Sequence, residues 1–112
     1  MVYRLYVAGV PLVAGTDSLS GFGLHRELEL YVAAGIPADK VLRLATLGAA
    51  EVMSADAITG SIAVGKRADM ILLPADPIKD ISVLRKTVKV FKDDRVWNVS
   101  DLYEAVGISP FN

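Results

Sequence analysis

A chain of 112 residues holds one small domain, and twelve Lys and Arg against thirteen Asp and Glu leave no basic stripe for nucleic acid or an anionic membrane. It has no cysteine, which excludes disulfides, thiolate catalysis and cysteine-ligated zinc, and its one histidine, His25, excludes a site of several imidazoles built from one copy. A hydrophobic content of 53% and a mean hydropathy of +0.42 are high for a domain with so large a surface-to-volume ratio, and predict an apolar surface covered by another chain.

Nothing approaches the roughly 18 consecutive apolar residues of a membrane span. Met1–Pro11 carries Arg4 and two tyrosines with no small-residue cleavage site, so it does not read as a signal peptide. The expectation is a cytoplasmic protein. Within Met1–Ala8, Val2, Leu5 and Tyr6 have helical spacing and Gly9 follows as a C′ residue, which predicts the last turns of a helix whose beginning is missing.

Val10–Asp17 is an apolar run opened by Pro11 and ended, after Gly15-Thr16, by one carboxylate. Such a run predicts a strand buried on both faces, as in parallel sheets, with Asp17 where α/β barrels place their chemistry. The local residues equally allow Asp17-Ser18 to be a turn. A small-residue loop, Ser18–Gly23, leads to a helical face of Leu24, Leu28, Tyr31 and Val32 that Gly35 ends. Strand, loop and helix follow one another as in one βα unit.

Pro37 starts a further helix with Asp39 in its first turn, where the helix dipole favours a carboxylate. Its apolar stripe, Val41, Leu42, Ala45, Ala49, Val52 and Met53, is interrupted near Gly48, predicting one bent helix or two short ones. From Gly60 the period changes to two. Gly60–Leu73 reads as strand, turn, strand; Asp76-Pro77 breaks it; Asp80–Arg85 reads as a helical turn around Ile81 and Leu84. Thr87–Phe91 and Arg95–Trp97 form a hairpin around Lys92-Asp93-Asp94, for about four strands in a mostly antiparallel sheet. Ser100 is placed as the N-cap of a last helix faced by Leu102, Tyr103 and Val106 and ended by Gly107 and Pro110. Residues 1–58 and 59–112 are thus two segments of one structural unit.

The order of motifs is distinctive. Gly15-Thr16-Asp17 after an apolar strand is followed by Leu24-His25-Arg26-Glu27-Leu28-Glu29-Leu30 and Ala34-Gly35. Then come Leu42-Arg43-Leu44-Ala45-Thr46 with Gly48-Ala49-Ala50, Gly60-Ser61-Ile62-Ala63-Val64-Gly65-Lys66-Arg67-Ala68-Asp69, and Asp76-Pro77-Ile78-Lys79-Asp80-Ile81. Over residues 1–97 this resembles the C-terminal end of the amidohydrolase superfamily, in its imidazolonepropionase-like and prolidase-like branch.

That resemblance implies an α/β fold: the last βα unit of a (β/α)8-type barrel, helices, and a small mostly antiparallel sheet completed by self-association. It implies hydrolysis of C–N bonds, amide or cyclic amide, with a divalent metal, zinc, as the family's cofactor. Asp17 matches the family's last-strand carboxylate, which binds metal and takes the proton of the attacking water. The family's His-x-His pair, its bridging carboxylate or lysine and its two later histidines lie upstream of this chain. Metal sites of this kind need about three protein ligands, so the chain alone is expected to bind no metal and to be inactive. The alternative is a non-catalytic, self-associating assembly module. Either way the expected partner is a second copy, or a chain carrying the rest of the barrel, and neither nucleic acid nor a membrane.

His25 and Thr16 are candidate neighbours of Asp17. His25 orients Asp17 or a substrate group in one reading and lines a helix start in the other; Thr16 bonds Asp17 or ends the strand. Lys66-Arg67 is expected to form an exposed turn to which Asp69 hydrogen-bonds back. Asp76-Pro77 and Asp80 are assigned turn and cap roles, Asp94 occupies a hairpin position that is often Gly in the family, and Trp97 and Tyr103 are core or interface aromatics.

Overall fold

The computed structural model describes residues 1–14, 23–92, 95–105 and 107. The chain opens with α1, Val2–Val7, which closes as its glycine predicts: the Gly9 N–H donates to Tyr6 O and the Val10 N–H to Leu5 O, the paired bonds of a Schellman end. Helix α2, Gly23–Ala33, closes in the same way, through Gly35 N–H to Val32 O and Ile36 N–H to Tyr31 O. Gly35 sits at φ +114, and a Cβ there would meet the Tyr3 ring at 3.3 Å. Glycine therefore serves both the turn and the packing of α1 on the end of α2.

Between these helices the expected buried strand takes another form. Val10–Ala14 joins no ladder, and the side chains alternate: Leu12 and Ala14 pack against the core while Val10, Pro11 and Val13 are exposed. The helices cover one side of this run, and no parallel strand flanks it among the described residues. The period-two burial persists, but pairing needs neighbours. Leu24, expected on the buried face of α2, is exposed, whereas Leu28, one turn on, is buried.

The long stripe after Pro37 becomes two helices, α3 at Ala38–Ala45 and α4 at Leu47–Val52. The break falls at Thr46, with φ −121 and ψ −96, where its hydroxyl donates to Leu42 O at 2.7 Å. Gly48 contributes by its size: a Cβ there would lie 3.0 Å from Arg43 O. Because the break redirects α4, the stripe splits, burying Val41 and Ala50 and leaving Val52 and Met53 exposed.

Among the described residues three strands form rather than four. Strand β1, Met70–Leu72, pairs antiparallel with β2, Lys89–Lys92, and β2 pairs antiparallel with β3, Arg95–Asn98. The hairpin forms between the expected segments, but Lys92, expected in the connection, belongs to β2 and pairs with Arg95, which sets Val90 opposite Trp97; Asp93 and Asp94 themselves lie outside the described residues. The predicted strand over Gly60–Val64 is absent because nothing pairs with it. Asp69 does not bond back to its turn, and instead its Oδ2 accepts from the Thr59 hydroxyl at 3.5 Å. The turn is held by the Arg67 N–H on Ile58 O at 2.7 Å and by Lys66 Nζ on the Ser61 hydroxyl at 2.8 Å.

The expected helical turn is a 3₁₀ helix, Ile81–Lys86, capped by Asp80, whose Oδ1 accepts from the Ser82 N–H and hydroxyl at 3.0 and 2.6 Å. The Asp76 carboxylate likewise accepts from the Ile78 N–H at 2.9 Å, the turn role assigned to it. Helix α5, Val99–Ala105, begins one residue before the proposed cap Ser100, so Asn98, the last residue of β3, precedes it; Val106 and Pro110 lie outside the described residues. The core joins both segments of the chain. Leu28 of α2, Val41 of α3 and Ile36 from the connection between them pack with Ile81 and Leu84 from the 3₁₀ helix, and Val2, Tyr6, Leu12, Tyr31 and Leu73 close around them.

Candidate functional site

Asp17 and Thr16, the residues on which the chemistry was expected to rest, lie outside the described residues, as does the loop to Phe22. The structure describes the frame on either side of them. On one side Leu12 and Ala14 anchor the approach to the core; on the other, α2 begins at Gly23 and carries His25, Glu27, Glu29 and Tyr31 from its first turn to its last.

His25 is half-buried in the first turn of α2. Burial pushes its imidazole below the usual 6.5; the Arg85 cation pushes the same way and Glu29 opposes. At neutral pH it is therefore an uncharged ring, able to donate at one nitrogen and accept at the other. One turn on, Glu29 accepts from Arg85 Nε at 2.6 Å and from Arg85 Nη2 at 3.2 Å, a two-pronged ion pair that fastens α2 to the 3₁₀ helix. A partner 56 positions away leaves no local signal for this pair in the sequence.

A second carboxylate on α2 has a different setting. The Tyr31 hydroxyl donates to Glu27 Oε1, and the other oxygen, Oε2, is buried without a hydrogen-bond partner among the described residues. Burial first, then the hydrogen bond and charge of Glu27, push the Tyr31 phenol up to about 12. Away from this helix, a shallow open cleft runs between the 3₁₀ helix and α5, with Arg85, Lys86, Ser100 and Tyr103 on its walls. Among the described residues no three His, Asp or Glu side chains come together as a set that could hold a metal ion. The described residues thus do not fit a resident divalent ion, and Asp17 would be a single ligand needing others from elsewhere.

A sequence model described as the amidohydrolase family matches residues 2–97. The chain belongs to the amidohydrolase family. Its fold is similar to that of a Xaa-Pro dipeptidase solved with methionine in its active site, at 35% identity and a TM-score of 0.79 over 85% of this chain and 24% of that one. It is also similar to molinate hydrolase, at 26% identity and a TM-score of 0.77 over 97% of this chain and 28% of that one. Among curated proteins, an ochratoxinase of Aspergillus niger is 31% identical over 106 residues, 93% of this chain and 22% of that protein. This amidohydrolase chain therefore spans about a quarter of the length of the relatives it matches.

Proposed function

We propose that the chain is the C-terminal portion of a metal-dependent amidohydrolase that hydrolyses amide or cyclic amide C–N bonds, and that it is inactive without the rest of the barrel. The observation that carries this reading is the family match over residues 2–97 combined with coverage of 24% of a Xaa-Pro dipeptidase: a faithful fold of one quarter of a hydrolase. In this reading Asp17 is the chain's contribution to the chemistry. A carboxylate at a strand end can take the proton of an attacking water, raising its nucleophilicity as the carbonyl carbon is attacked. The neutral ring of His25, at the start of the following helix, orients that carboxylate or a substrate group by a hydrogen bond. The substrate class is that of an acylated amine, as the name of the Xaa-Pro dipeptidase supports.

The test is a reconstitution. The purified chain, supplied with Zn²⁺, is assayed on a Xaa-Pro dipeptide alone and again when fused behind the preceding three quarters of the Xaa-Pro dipeptidase it resembles. Hydrolysis by the fusion and none by the chain alone is expected. Turnover by the isolated chain, or a fusion that folds but is inactive, would overturn the reading.

A second reading, a self-associating module without catalysis, is favoured by the many large apolar side chains left exposed, among them Val13, Ile62, Ile71, Leu72, Val96 and Trp97.

A further inference from the structure

The cleft between the 3₁₀ helix and α5 has a one-sided lining. Its walls carry the cations Arg85 and Lys86 and the hydroxyls of Ser100 and Tyr103, with Val88 and Val99 between them. No carboxylate of the described residues lines it, although the chain has thirteen Asp and Glu. The two elements produce this segregation. Arg85 and Lys86 fall together in the last turn of the 3₁₀ helix. On α5, Ser100 and Tyr103 stand three positions apart and share a face, whereas Asp101 and Glu104 of the same helix stay off the lining. Asp101 Oδ2 instead accepts from Asn98 Nδ2 at 3.4 Å.

The floor of the cleft is apolar in effect. The Val88 N–H donates to Leu72 O at 2.8 Å and the Val99 N–H to Val88 O at 3.0 Å, so both are already committed and the two residues present their side chains. Val88 is left exposed. Arg85 is engaged by Glu29. The charge offered to a ligand is therefore that of Lys86, which is exposed and makes no ion pair among the described residues.

These features define an occupant. The cleft measures about 260 Å³, below the roughly 300–1,000 Å³ of pockets that hold drug-sized molecules, so its ligand has few heavy atoms. An ammonium beside a serine hydroxyl recognises an anion. A valine floor is satisfied by an anion with an apolar body and not by phosphate, whose oxygens would lie against methyl groups. One wall, α5, lies past residue 97, where the family match ends, so the family resemblance assigns this cleft no role.

We propose that this cleft binds a small aliphatic carboxylate, its charged end on Lys86 and the Ser100 hydroxyl and its apolar body on Val88 and Val99. The site goes beyond the hydrolase reading above and does not depend on it.

The experiment uses the full chain with isobutyrate as the probe. Nuclear magnetic resonance titration is expected to show saturable shifts in the Val88 and Val99 methyl groups and the Ser100 amide. Isobutyramide keeps the shape and loses the charge, and phosphate keeps charge and loses the apolar body; each is expected to bind about tenfold more weakly or worse. Lys86→Gln should weaken isobutyrate by about tenfold and Ser100→Ala by a smaller factor, with circular dichroism unchanged in both. The fusion with the dipeptidase, labelled at its valine methyl groups, should bind isobutyrate as the chain alone does. Shifts that fail to saturate, an affinity indifferent to Lys86→Gln, or equal binding of isobutyramide would overturn the site. Phosphate binding as tightly as isobutyrate would overturn the ligand class. Loss of binding in the fusion would overturn the site as well, by showing that the preceding part of the enzyme fills the cleft. Dipeptide turnover by the fusion, which tests the hydrolase reading, enters none of these outcomes.

Discussion

Arg85 holds Glu29 with two hydrogen bonds, at 2.6 and 3.2 Å, across 56 positions of sequence. The pair is the one two-pronged ion pair among the described residues, and its side chains are only 26% and 22% exposed. It joins the helix that follows Asp17 to the 3₁₀ helix that leads into the sheet. A charge-assisted, partly buried pair of this geometry contributes about 1–2 kcal/mol. Arg85→Ala and Glu29→Gln should each lower the urea midpoint. The double variant should lose less than the sum of the two, leaving a coupling of about 1 kcal/mol. Arg85→Lys should recover only part, because an ammonium lacks the planar fork.

Gly60 and Ala50 touch where the turn after α4 folds back on it. Gly60 lies at φ +99, and an added Cβ would fall 2.7 Å from Ala50 Cβ and 3.0 Å from Leu47 Cα. Gly60→Ala should therefore cost both left-handed strain and overpacking, about 2–4 kcal/mol together. Gly65, at φ +90 with open space around it, is the matched control: Gly65→Ala should cost only the backbone share, about 1–2 kcal/mol. Thermal unfolding of the two variants measures the difference.

Tyr31 should be visible in an alkaline titration. Its phenol is pushed up to about 12 by burial and by Glu27, against a usual 10.0. A group whose folded value is raised stabilises fully below its unfolded value and loses that contribution as pH rises through the folded one. Stability should thus fall across the window between those two values, and Tyr31→Phe should remove that fall along with one phenolate absorbance step. At neutral pH the same variant leaves both oxygens of Glu27 without a donor among the described residues, at a cost of about 1–3 kcal/mol.

His25 works in the opposite sense at acid pH. Its folded value lies below 6.5, chiefly through burial, so protonation is penalised in the folded chain and not in the unfolded one. The stability it contributes is complete above that value and is lost as pH falls through the lower, folded one. Urea midpoints measured at neutral and mildly acid pH should converge in His25→Gln.

Asp17→Asn in the reconstituted fusion should lower dipeptide hydrolysis by about 10²- to 10⁴-fold, the usual contribution of a general base. Binding of the dipeptide, followed by calorimetry, should change far less. Equal turnover by parent and variant would remove Asp17 from the chemistry.

Local physics made much of this chain legible. The two Schellman ends, the α2 face of Leu28, Tyr31 and Val32, the Asp80-capped turn and the β2–β3 hairpin all follow from spacing, a terminal glycine or a short polar side chain. The family motifs from Gly15 to Ile81 are likewise a property of residue order, and the match over residues 2–97 agrees with them. What spacing alone could not supply was pairing. Val10–Ala14 and Ser61–Val64 both have strand patterns and neither joins a ladder, because a strand exists only with a neighbour to bond.

By itself, then, the sequence determined the helices, the turns and the family, and it singled out Asp17 as the carboxylate proposed to serve the chemistry. Tertiary structure decided where the long stripe breaks at Thr46, which half of the chain Glu29 is tied to, that Asp69 turns to Thr59, and that three strands instead of four form among the described residues. The division has a physical reason. Caps and helical faces are satisfied within a few residues of chain, whereas ion pairs, strand pairing and close packing such as that of Gly60 on Ala50 depend on groups that only the folded chain brings together.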